Sequence, residues 1–184
     1  MPELISPVSN DFTGLLTRRF AANFLPIPAF SRLSIGDRAP ELQLSMVQSD
    51  QTLTLSKCWA DAPVLLLFTR IFTEKQYCPL CFPHILAINN AYEQFRDRGV
   101  MIVMVTSTDR AQSKIVVRDL GLKMPLASDP SCKSFRRYGT GQALGAPLPA
   151  QFLIDRGRIR YRYLFSFLHP NATPEQLMAQ LKFC

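Results

Sequence analysis

Two cysteines in the segment Tyr77-Cys78-Pro79-Leu80-Cys81 are the residues best suited to chemistry. The segment lies between an apolar run and a stretch of helical periodicity. We therefore expect Cys78 at a helix N-terminus, with Pro79 at the first helical position. Free backbone N–H groups and the positive end of the helix dipole stabilise a thiolate there. Because a thiolate is the attacking species in disulfide exchange, the pair is predicted to be redox-active.

The two cysteines differ in their expected environment. Cys81 is predicted to be the more buried thiol and Cys78 the more exposed one, because Cys81 begins the apolar stripe that faces the core. This difference suits a two-step reaction in which Cys78 attacks first and Cys81 then closes a Cys78–Cys81 disulfide. The stripe consists of Cys81, Ile85, Ile88, Tyr92 and Phe95.

Metal binding is the main alternative use of a Cys-x-x-Cys pair. A closed zinc site needs four ligands, whereas the chain has no second such pair and only His84 and His169 as histidines. Covalent haem attachment requires a histidine directly after the second cysteine, where Phe82 stands. We therefore expect no metal and no cofactor. His84 is placed on the helix surface, with proton exchange with the cysteine pair as the alternative.

Three further cysteines give weaker signals. Cys58 is predicted to pack as a small hydrophobic side chain. Cys132 follows a proline at a predicted helix start, where its pKa would fall. A resolving or sensor role is therefore the alternative to simple packing for Cys132. Cys184 is the last residue, and we expect no role for it.

Composition restricts the class of protein. A chain of 184 residues with 47% hydrophobic and 19% charged residues is typical of one globular domain. Its apolar runs, such as residues 62–68, are far shorter than the ~20 residues of a membrane-spanning helix. The net charge of +7 is dispersed and comes with no nucleic-acid-binding motif. Five cysteines, an odd number, and no export signal predict a reducing, cytoplasmic environment.

The hydrophobic pattern alternates between strands and helices. Two runs that are apolar on both faces, 63–69 and 100–106, predict buried parallel strands. A tight turn at Arg156-Gly157 joins two further strands, which should be antiparallel. The predicted strands are 63–69, 100–106, 150–155 and 158–165, and the predicted helices are 80–98, 110–120, 131–138 and a last helix from Thr173 or Pro174. The fold class is therefore α/β, with a mixed sheet and helices on both faces.

Residues 1–34 differ from the rest because they contain four prolines among aromatic residues. We interpret them as an N-terminal arm with one short helix near 13–23, packed on a domain formed by residues 35–184. An arm that binds a partner or forms a homodimer is the alternative.

Several short motifs occur in an order similar to that of one known family. They are Gly36-Asp37-Arg38-Ala39-Pro40, the strand at 64–68, the cysteine motif, Ser128-Asp129, Tyr138-Gly139 and Phe152-Leu153-Ile154-Asp155. In this respect residues 35–184 resemble the redoxin branch of the thioredoxin-like superfamily, which includes the AhpC/TSA peroxiredoxins. The resemblance implies a thioredoxin-like three-layer sandwich.

Two subfamilies fit the chain differently. The peroxiredoxin motif resembles Pro-x-x-x-Thr-x-x-Cys, in which the cysteine attacks peroxide. Placed on this chain, the motif would make Cys81 the attacking residue and would put Cys78 in the threonine position. Thr73 is too far upstream to replace that threonine. The activating arginine of peroxiredoxins would fall near Pro149. A proline there instead resembles the substrate-guiding cis-proline of thioredoxins. Tyr77 stands where thioredoxins usually have tryptophan, and is a second candidate for substrate guidance.

The resemblance implies a thiol-disulfide oxidoreductase with Cys78 as the nucleophile and Cys81 as the resolving thiol. A thiol peroxidase that reduces hydrogen peroxide or alkyl hydroperoxides through the same pair is the alternative, and a redox-inert binding module is the third option. The expected partners are a disulfide or peroxide substrate and a thiol reductant such as thioredoxin or glutathione. We expect no nucleic-acid or membrane partner, and a homodimer is a further alternative.

Overall fold

The computed structural model describes residues 8–49 and 51–183. Their elements are α1 (Arg18–Ala22), β1 (Gln43–Met46), β2 (Thr52–Thr54), α2 (Leu55–Asp61), β3 (Val64–Phe68), β4 (Ile71–Thr73), β5 (Gln76–Tyr77), α3 (Phe82–Arg96), β6 (Met101–Thr106), α4 (Arg110–Asp119), β7 (Leu126–Ser128), α5 (Lys133–Tyr138), β8 (Gln142–Ala143), β9 (Ala146–Pro147), β10 (Ala150–Asp155), β11 (Arg158–Leu164), α6 (Pro174–Gln180) and a 3₁₀ turn (Leu181–Phe183).

Seven strands form one mixed sheet in the order β11-β10-β3-β6-β7-β1-β2. The β3–β6 and β6–β7 pairs are parallel, whereas β10 is antiparallel to both β3 and β11. Every residue of β3 and of β10 is buried. The continuous apolar runs of the sequence therefore became interior strands, because strands covered on both faces expose no polar side.

The two faces of β3 lead to two separate cores. Leu65 and Leu67 point into a cluster with α3, α4 and α6, whereas Leu66 and Phe68 point into a cluster with α2 and α5. This split follows from the period of two in a β-strand. The mixed sheet with helices on both faces, predicted from the sequence, is thereby confirmed.

The predicted strands and helices agree with the structure to within a few residues. Helix α1 covers only Arg18–Ala22, so it is shorter than the helix expected near residues 13–23. The structure adds α2 and the short strands β1, β2, β4, β5, β8 and β9, which were not predicted. These segments are two to seven residues long, too short for hydrophobic periodicity to identify them.

The described part of the N-terminal arm packs along the domain. Ile27 and Gln142 exchange two backbone hydrogen bonds of 2.8 Å. The Arg19 guanidinium donates to Ser107 Oγ at 3.1 Å and to the Phe72 carbonyl. Further along, Lys75 Nζ lies 2.5 Å from Asp11 Oδ2. These contacts agree with a packed extension, while a role in binding a partner stays a prediction.

The substitution Gly141→Ala is expected to destabilise the protein by about 2–4 kcal/mol and to loosen the arm. Gly141 has φ +78°, and an added Cβ would lie 2.6 Å from both Ala29 N and Ile27 O. The measurements are urea unfolding and amide hydrogen exchange of residues 20–30. Gly99→Ala is the matched control, because Gly99 has φ +70° with nothing within 4 Å of the added Cβ. Equal effects of the two substitutions would contradict this account.

Candidate active site

The cysteine pair lies in a turn between the β4–β5 hairpin and α3. Cys78 directly follows β5, and its carbonyl accepts hydrogen bonds of 2.9 Å from the N–H groups of Cys81 and Phe82. Helix α3 begins at Phe82, with Cys81 as the N-cap residue and Pro83 in its first turn. The expected placement of Cys78 and Pro79 at the helix start is therefore wrong. Pro79 and Pro83 both suit the first turn of a helix, and in the structure Pro83 occupies that turn.

Both thiols lie below the surface. Cys78 is 4% exposed and Cys81 is 1% exposed, so their order agrees with the prediction although Cys78 is also buried. Cys81, Ile85, Ile88 and Phe95 are all buried, as the stripe predicted. A substrate atom must therefore reach into the turn to meet Cys78.

Cys78 carries the more acidic thiol of the pair. A hydrogen bond with the Cys81 side chain is the main cause that lowers the pKa of Cys78 to about 6, against the opposing effect of burial. The N–H groups of Leu80 and Cys81 and the charge of Arg70 act in the same direction as this hydrogen bond. The surroundings of Cys78 thus favour the thiolate, which is the nucleophilic form.

Cys81 has the opposite character. Its hydrogen bond to Cys78 and its burial raise the pKa of Cys81 well above the usual range of a thiol. The Arg70 backbone N–H and the Asn171 side chain lower that pKa by donating to the sulfur. Cys81 is therefore a protonated donor while Cys78 is ionised.

The side chains of Asn171 and Gln151 hold the turn that carries the two cysteines. Asn171 Nδ2 donates to the Leu80 carbonyl at 3.1 Å, and Gln151 Nε2 donates to Asn171 Oδ1 at 2.8 Å. Gln151 Oε1 accepts from Ala172 N at 3.0 Å. Neither residue was predicted from the sequence, because both are 70 to 93 positions from the cysteines and have no local pattern.

Arg70 is a further residue that the sequence analysis missed. It follows β3 closely, is 7% exposed, and its guanidinium lies 4.7 Å from the Phe72 ring centroid. The guanidinium also donates to the Ala143 carbonyl. A charged residue just past a buried apolar strand was the available signal.

An apolar groove adjoins Arg70. The cavity has a volume of about 340 Å³ and is lined by arm residues 26–29 together with Leu144, Leu148 and Phe167. Leu144 and Phe167 are 63% and 88% exposed. Arg70 lines this groove and lies close enough to Cys78 and Cys81 to lower the pKa of both thiols, so the groove lies beside the cysteine pair.

The two predicted substrate-guiding residues are both buried. Pro149 precedes Ala150, which pairs with Phe68, so it lies at the sheet edge from which Arg70 emerges. No cis peptide bond occurs in residues 8–49 and 51–183, so the expected cis geometry of Pro149 is wrong. Tyr77 is 2% exposed and packs on Phe82 at 5.2 Å between ring centroids. The Tyr77 ring therefore packs in the core below the turn, and substrate guidance by Tyr77 or Pro149 stays a prediction.

His84 is half-buried, so it lies deeper than the helix-surface position that was predicted. Burial lowers the pKa of His84 to about 4, although a hydrogen bond with the Ala172 backbone acts in the opposite direction. Its Nε2 atom has no hydrogen-bond partner among the residues that the structure describes. The imidazole is therefore neutral at pH 7.

The other cysteines lie apart from the pair. Cys132 is 2% exposed, has φ +55°, and belongs to the core cluster on the α5 side of the sheet. Burial and then Asp129 raise the pKa of Cys132, so the expected decrease is wrong. Cys58 is half-buried and packs against the same cluster, as predicted. The prediction for Cys184 concerns a residue outside the described range.

Metal binding and membrane insertion are two further properties on which the described residues bear. Within the described ranges, no group of three or more His, Cys, Asp or Glu side chains is arranged to hold a metal ion. None of the helices in those ranges has both the length and the hydrophobicity needed to cross a membrane.

Alkylation of Cys78 by iodoacetamide is expected to reach half its maximal rate near pH 6. The rate follows the thiolate fraction, which rises with pH through the lowered pKa of about 6. An ordinary thiol reaches that point near pH 8.5. Peptide mass spectrometry of the reduced protein measures each cysteine, and Cys58 is the internal control because burial raises its pKa. A midpoint near pH 8.5 for Cys78 would contradict the assignment of Cys78 as the acidic thiol.

Two known proteins are similar in sequence to part of this chain. Thiol-disulfide oxidoreductase ResA of Bacillus thuringiensis (strain Al Hakam) is 33% identical over 109 residues, 58% of this chain and 57% of the relative. The chloroplastic peroxiredoxin Q of Triticum aestivum is 26% identical over 135 residues, 72% of this chain and 59% of the relative. This chain thus spans less than two thirds of the length of either relative.

A solved structure supports the fold. Peroxidoxin BcpB from Mycobacterium tuberculosis superposes with a TM-score of 0.69 and 16% identity, covering 83% of this chain and 98% of BcpB. This likeness confirms the thioredoxin-like architecture. The model of the AhpC/TSA family matches residues 35–162, which is more than half of the chain. The resemblance noted in the sequence is therefore confirmed, and the chain belongs to the AhpC/TSA family.

Proposed function

We propose that this protein is a thiol-disulfide oxidoreductase that cycles Cys78 and Cys81 between dithiol and disulfide. One observation carries the proposal: two buried thiols lie in one turn, closed by a 2.9 Å hydrogen bond from Cys81 N–H to the Cys78 carbonyl, in surroundings that lower the pKa of Cys78 to about 6. At neutral pH the pair therefore holds one thiolate and one thiol in contact. The relative named ResA supports the same activity.

The reaction takes place in two steps. The Cys78 thiolate attacks one sulfur of a substrate disulfide, forms a mixed disulfide and releases the other sulfur as a thiolate. Cys81 then loses its proton and attacks Cys78 Sγ, which releases the second substrate sulfur. The substrate gains two electrons and two protons, and the protein ends with a Cys78–Cys81 disulfide.

A redox titration tests the proposal. The triple variant Cys58→Ser, Cys132→Ser, Cys184→Ser keeps only the pair, and it is equilibrated in dithiothreitol buffers of graded potential and then trapped with a maleimide. We expect one two-electron transition, in which a tenfold change in the reduced-to-oxidised ratio takes 29.6 mV. A pair that forms no disulfide under any buffer would overturn the proposal and favour a redox-inert binding module.

A thiol peroxidase is the second candidate. The positive charge of Arg70 beside Cys78 and the peroxiredoxin relative favour it. Cys78 would attack the peroxide O–O bond, release water or an alcohol and become a sulfenic acid, which Cys81 would condense to the disulfide with loss of water. Against it, Cys78 stands where peroxiredoxins have threonine, and Pro149 stands where their arginine is expected.

Stopped-flow oxidation by hydrogen peroxide separates the two activities. A rate of thiol loss far above that of free cysteine would make the peroxidase primary. A rate no higher than that of free cysteine would exclude it and leave disulfide exchange.

We also propose that a thiol reductant such as thioredoxin or glutathione reduces the Cys78–Cys81 disulfide, because the cycle needs an electron donor. The odd number of cysteines supports a reducing compartment, which we propose to be the cytoplasm. The apolar groove beside Arg70 gives a bulky disulfide or hydroperoxide substrate apolar side chains to contact.

A further inference from the structure

We propose that Asn171, held in place by Gln151, donates a hydrogen bond to the Cys81 sulfur as that sulfur becomes a thiolate in the second step. The inference rests on the proposed disulfide exchange and adds a catalytic side chain and a positioning side chain to it. Neither residue lies near the cysteine motif in the sequence.

A backbone group fixes the orientation of both amides. The Ala172 N–H can only donate, so the Gln151 atom that it contacts at 3.0 Å must be the carbonyl oxygen. Gln151 Nε2 is then the donor toward Asn171 at 2.8 Å, so Asn171 presents its oxygen to Gln151. This leaves the Asn171 NH₂ group facing the turn. The donors of Asn171 are thus set by the fold.

That NH₂ group has two hydrogens. One of them is donated to the Leu80 carbonyl at 3.1 Å, between the two cysteines, and the group lies close enough to the Cys81 sulfur to lower the pKa of that thiol. The hydrogen bond to Leu80 fixes the position of the turn. A hydrogen bond to the sulfur is charge-assisted once Cys81 ionises, and such bonds are about twice as strong as neutral ones.

Gln151 is a fully buried polar side chain in an otherwise largely apolar strand. It is 0% exposed within β10, an interior strand whose other residues include Phe152, Leu153 and Ile154. Burying an amide is costly unless its hydrogen bonds are made, and here both its oxygen and its nitrogen have partners. Replacement by an apolar side chain would leave Ala172 and Asn171 without these partners.

The second step needs such a donor. Once Cys78 is in a mixed disulfide it carries no charge, so the largest cause that raises the pKa of Cys81 is gone. Burial still opposes ionisation, and the donors that favour it are the Arg70 backbone N–H and Asn171. The other titratable groups around the turn are Cys78, the Arg70 guanidinium, and neutral His84 on the Ala172 backbone. Of the two donors to the sulfur, Asn171 is the side chain that a substitution can remove.

Single-turnover kinetics test the proposal. The variants Asn171→Asp and Asn171→Ala react in the triple-serine background with a chromogenic aromatic disulfide, whose first thiolate reports attack by Cys78 and whose second reports closure by Cys81. We expect the second step to slow by about 10- to 100-fold, which is the effect of losing one hydrogen bond to a charged group. The first step should stay within about threefold. Gln151→Ala should produce a smaller loss in the same step.

Matched variants separate this role from a purely structural one. Asn90→Asp makes the same change at an exposed position on α3 and should leave both steps unchanged. Asn171→Ser keeps a donor and should recover part of the second-step rate. The pH at which the second step reaches half its maximum should rise in Asn171→Ala. Equal slowing of both steps, with no shift in this pH, would instead indicate a structural role.

Two outcomes overturn the inference in distinguishable ways. A second step within twofold of the parent in both Asn171→Asp and Asn171→Ala would refute the role of Asn171 while leaving disulfide exchange intact. A parent protein that releases neither thiolate would refute the proposed function and this inference with it. A second measurement needs no turnover. In the Cys78→Ser background, alkylation of Cys81 should need a higher pH when Asn171 is alanine.

Discussion

The substitution Cys78→Ser is expected to lower the rate of disulfide reduction by roughly 10³-fold or more, because it removes the nucleophile. Cys81→Ser should behave differently, since the Cys78 thiolate still forms and attacks. That variant should release one equivalent of thiolate and then remain as a mixed disulfide, which intact-protein mass spectrometry detects as a mass increase. The rate of its first step should stay close to that of the parent, because the serine hydroxyl can replace the Cys81 thiol as the donor that lowers the pKa of Cys78.

The control for both variants is Cys58→Ser, which changes a half-buried cysteine outside the turn. It should reduce the disulfide at the parent rate. If Cys81→Ser were the variant without a first step and Cys78→Ser formed the stable adduct, Cys81 would be the attacking residue. That result would match the peroxiredoxin pattern, in which the cysteine in the position of Cys81 attacks.

The substitution Phe68→Ala is expected to produce the largest loss of stability, about 3–5 kcal/mol. Phe68 is 1% exposed and contacts three aromatic rings, with centroid distances of 4.9 Å to Phe135, 5.3 Å to Tyr138 and 6.1 Å to Phe152. Removing the ring leaves a cavity between β3, β10 and α5. The free energy of unfolding in urea, followed by far-ultraviolet circular dichroism, measures the effect.

Phe167→Ala makes the same change at a residue that is 88% exposed. It should cost less than about 1 kcal/mol, because little apolar surface is removed from contact. A loss at Phe68 as small as that at Phe167 would mean that the aromatic cluster adds little to the stability of the sheet.

The interior of the sheet was predictable because burial on both faces leaves a long apolar signal in the sequence. Residues 63–69 and 100–106 became β3 and β6, and the tight turn at Arg156-Gly157 joins β10 to β11 as expected. The start of α3 could not be predicted from the sequence, because Pro79 and Pro83 both suit a first turn. In the structure residues 79–81 form a turn, and the helix begins at Phe82.

Of the residues in the candidate site that act on the thiols, only the two cysteines themselves could be predicted from the sequence. The spacing of the two cysteines is local in the sequence, whereas the groups that set their pKa values or hold their turn come from the residues after β3, from the start of β10 and from the loop before α6. Cys132 illustrates the same limit. A helix start lowers the pKa of a thiol only if the helix dipole outweighs burial, and α5 has six residues while Cys132 is 2% exposed.

The position of β10 has a consequence for synthesis of the chain. This strand pairs with β3, yet about 80 residues separate them in the sequence. While the ribosome is still making the intervening residues, β3 has an open edge that can pair with other chains. Gln151 belongs to β10 and Asn171 follows it, so a nascent chain that ends before β10 lacks both amides that hold the turn. The environment of the cysteine pair is therefore completed only when this last part of the chain joins the sheet.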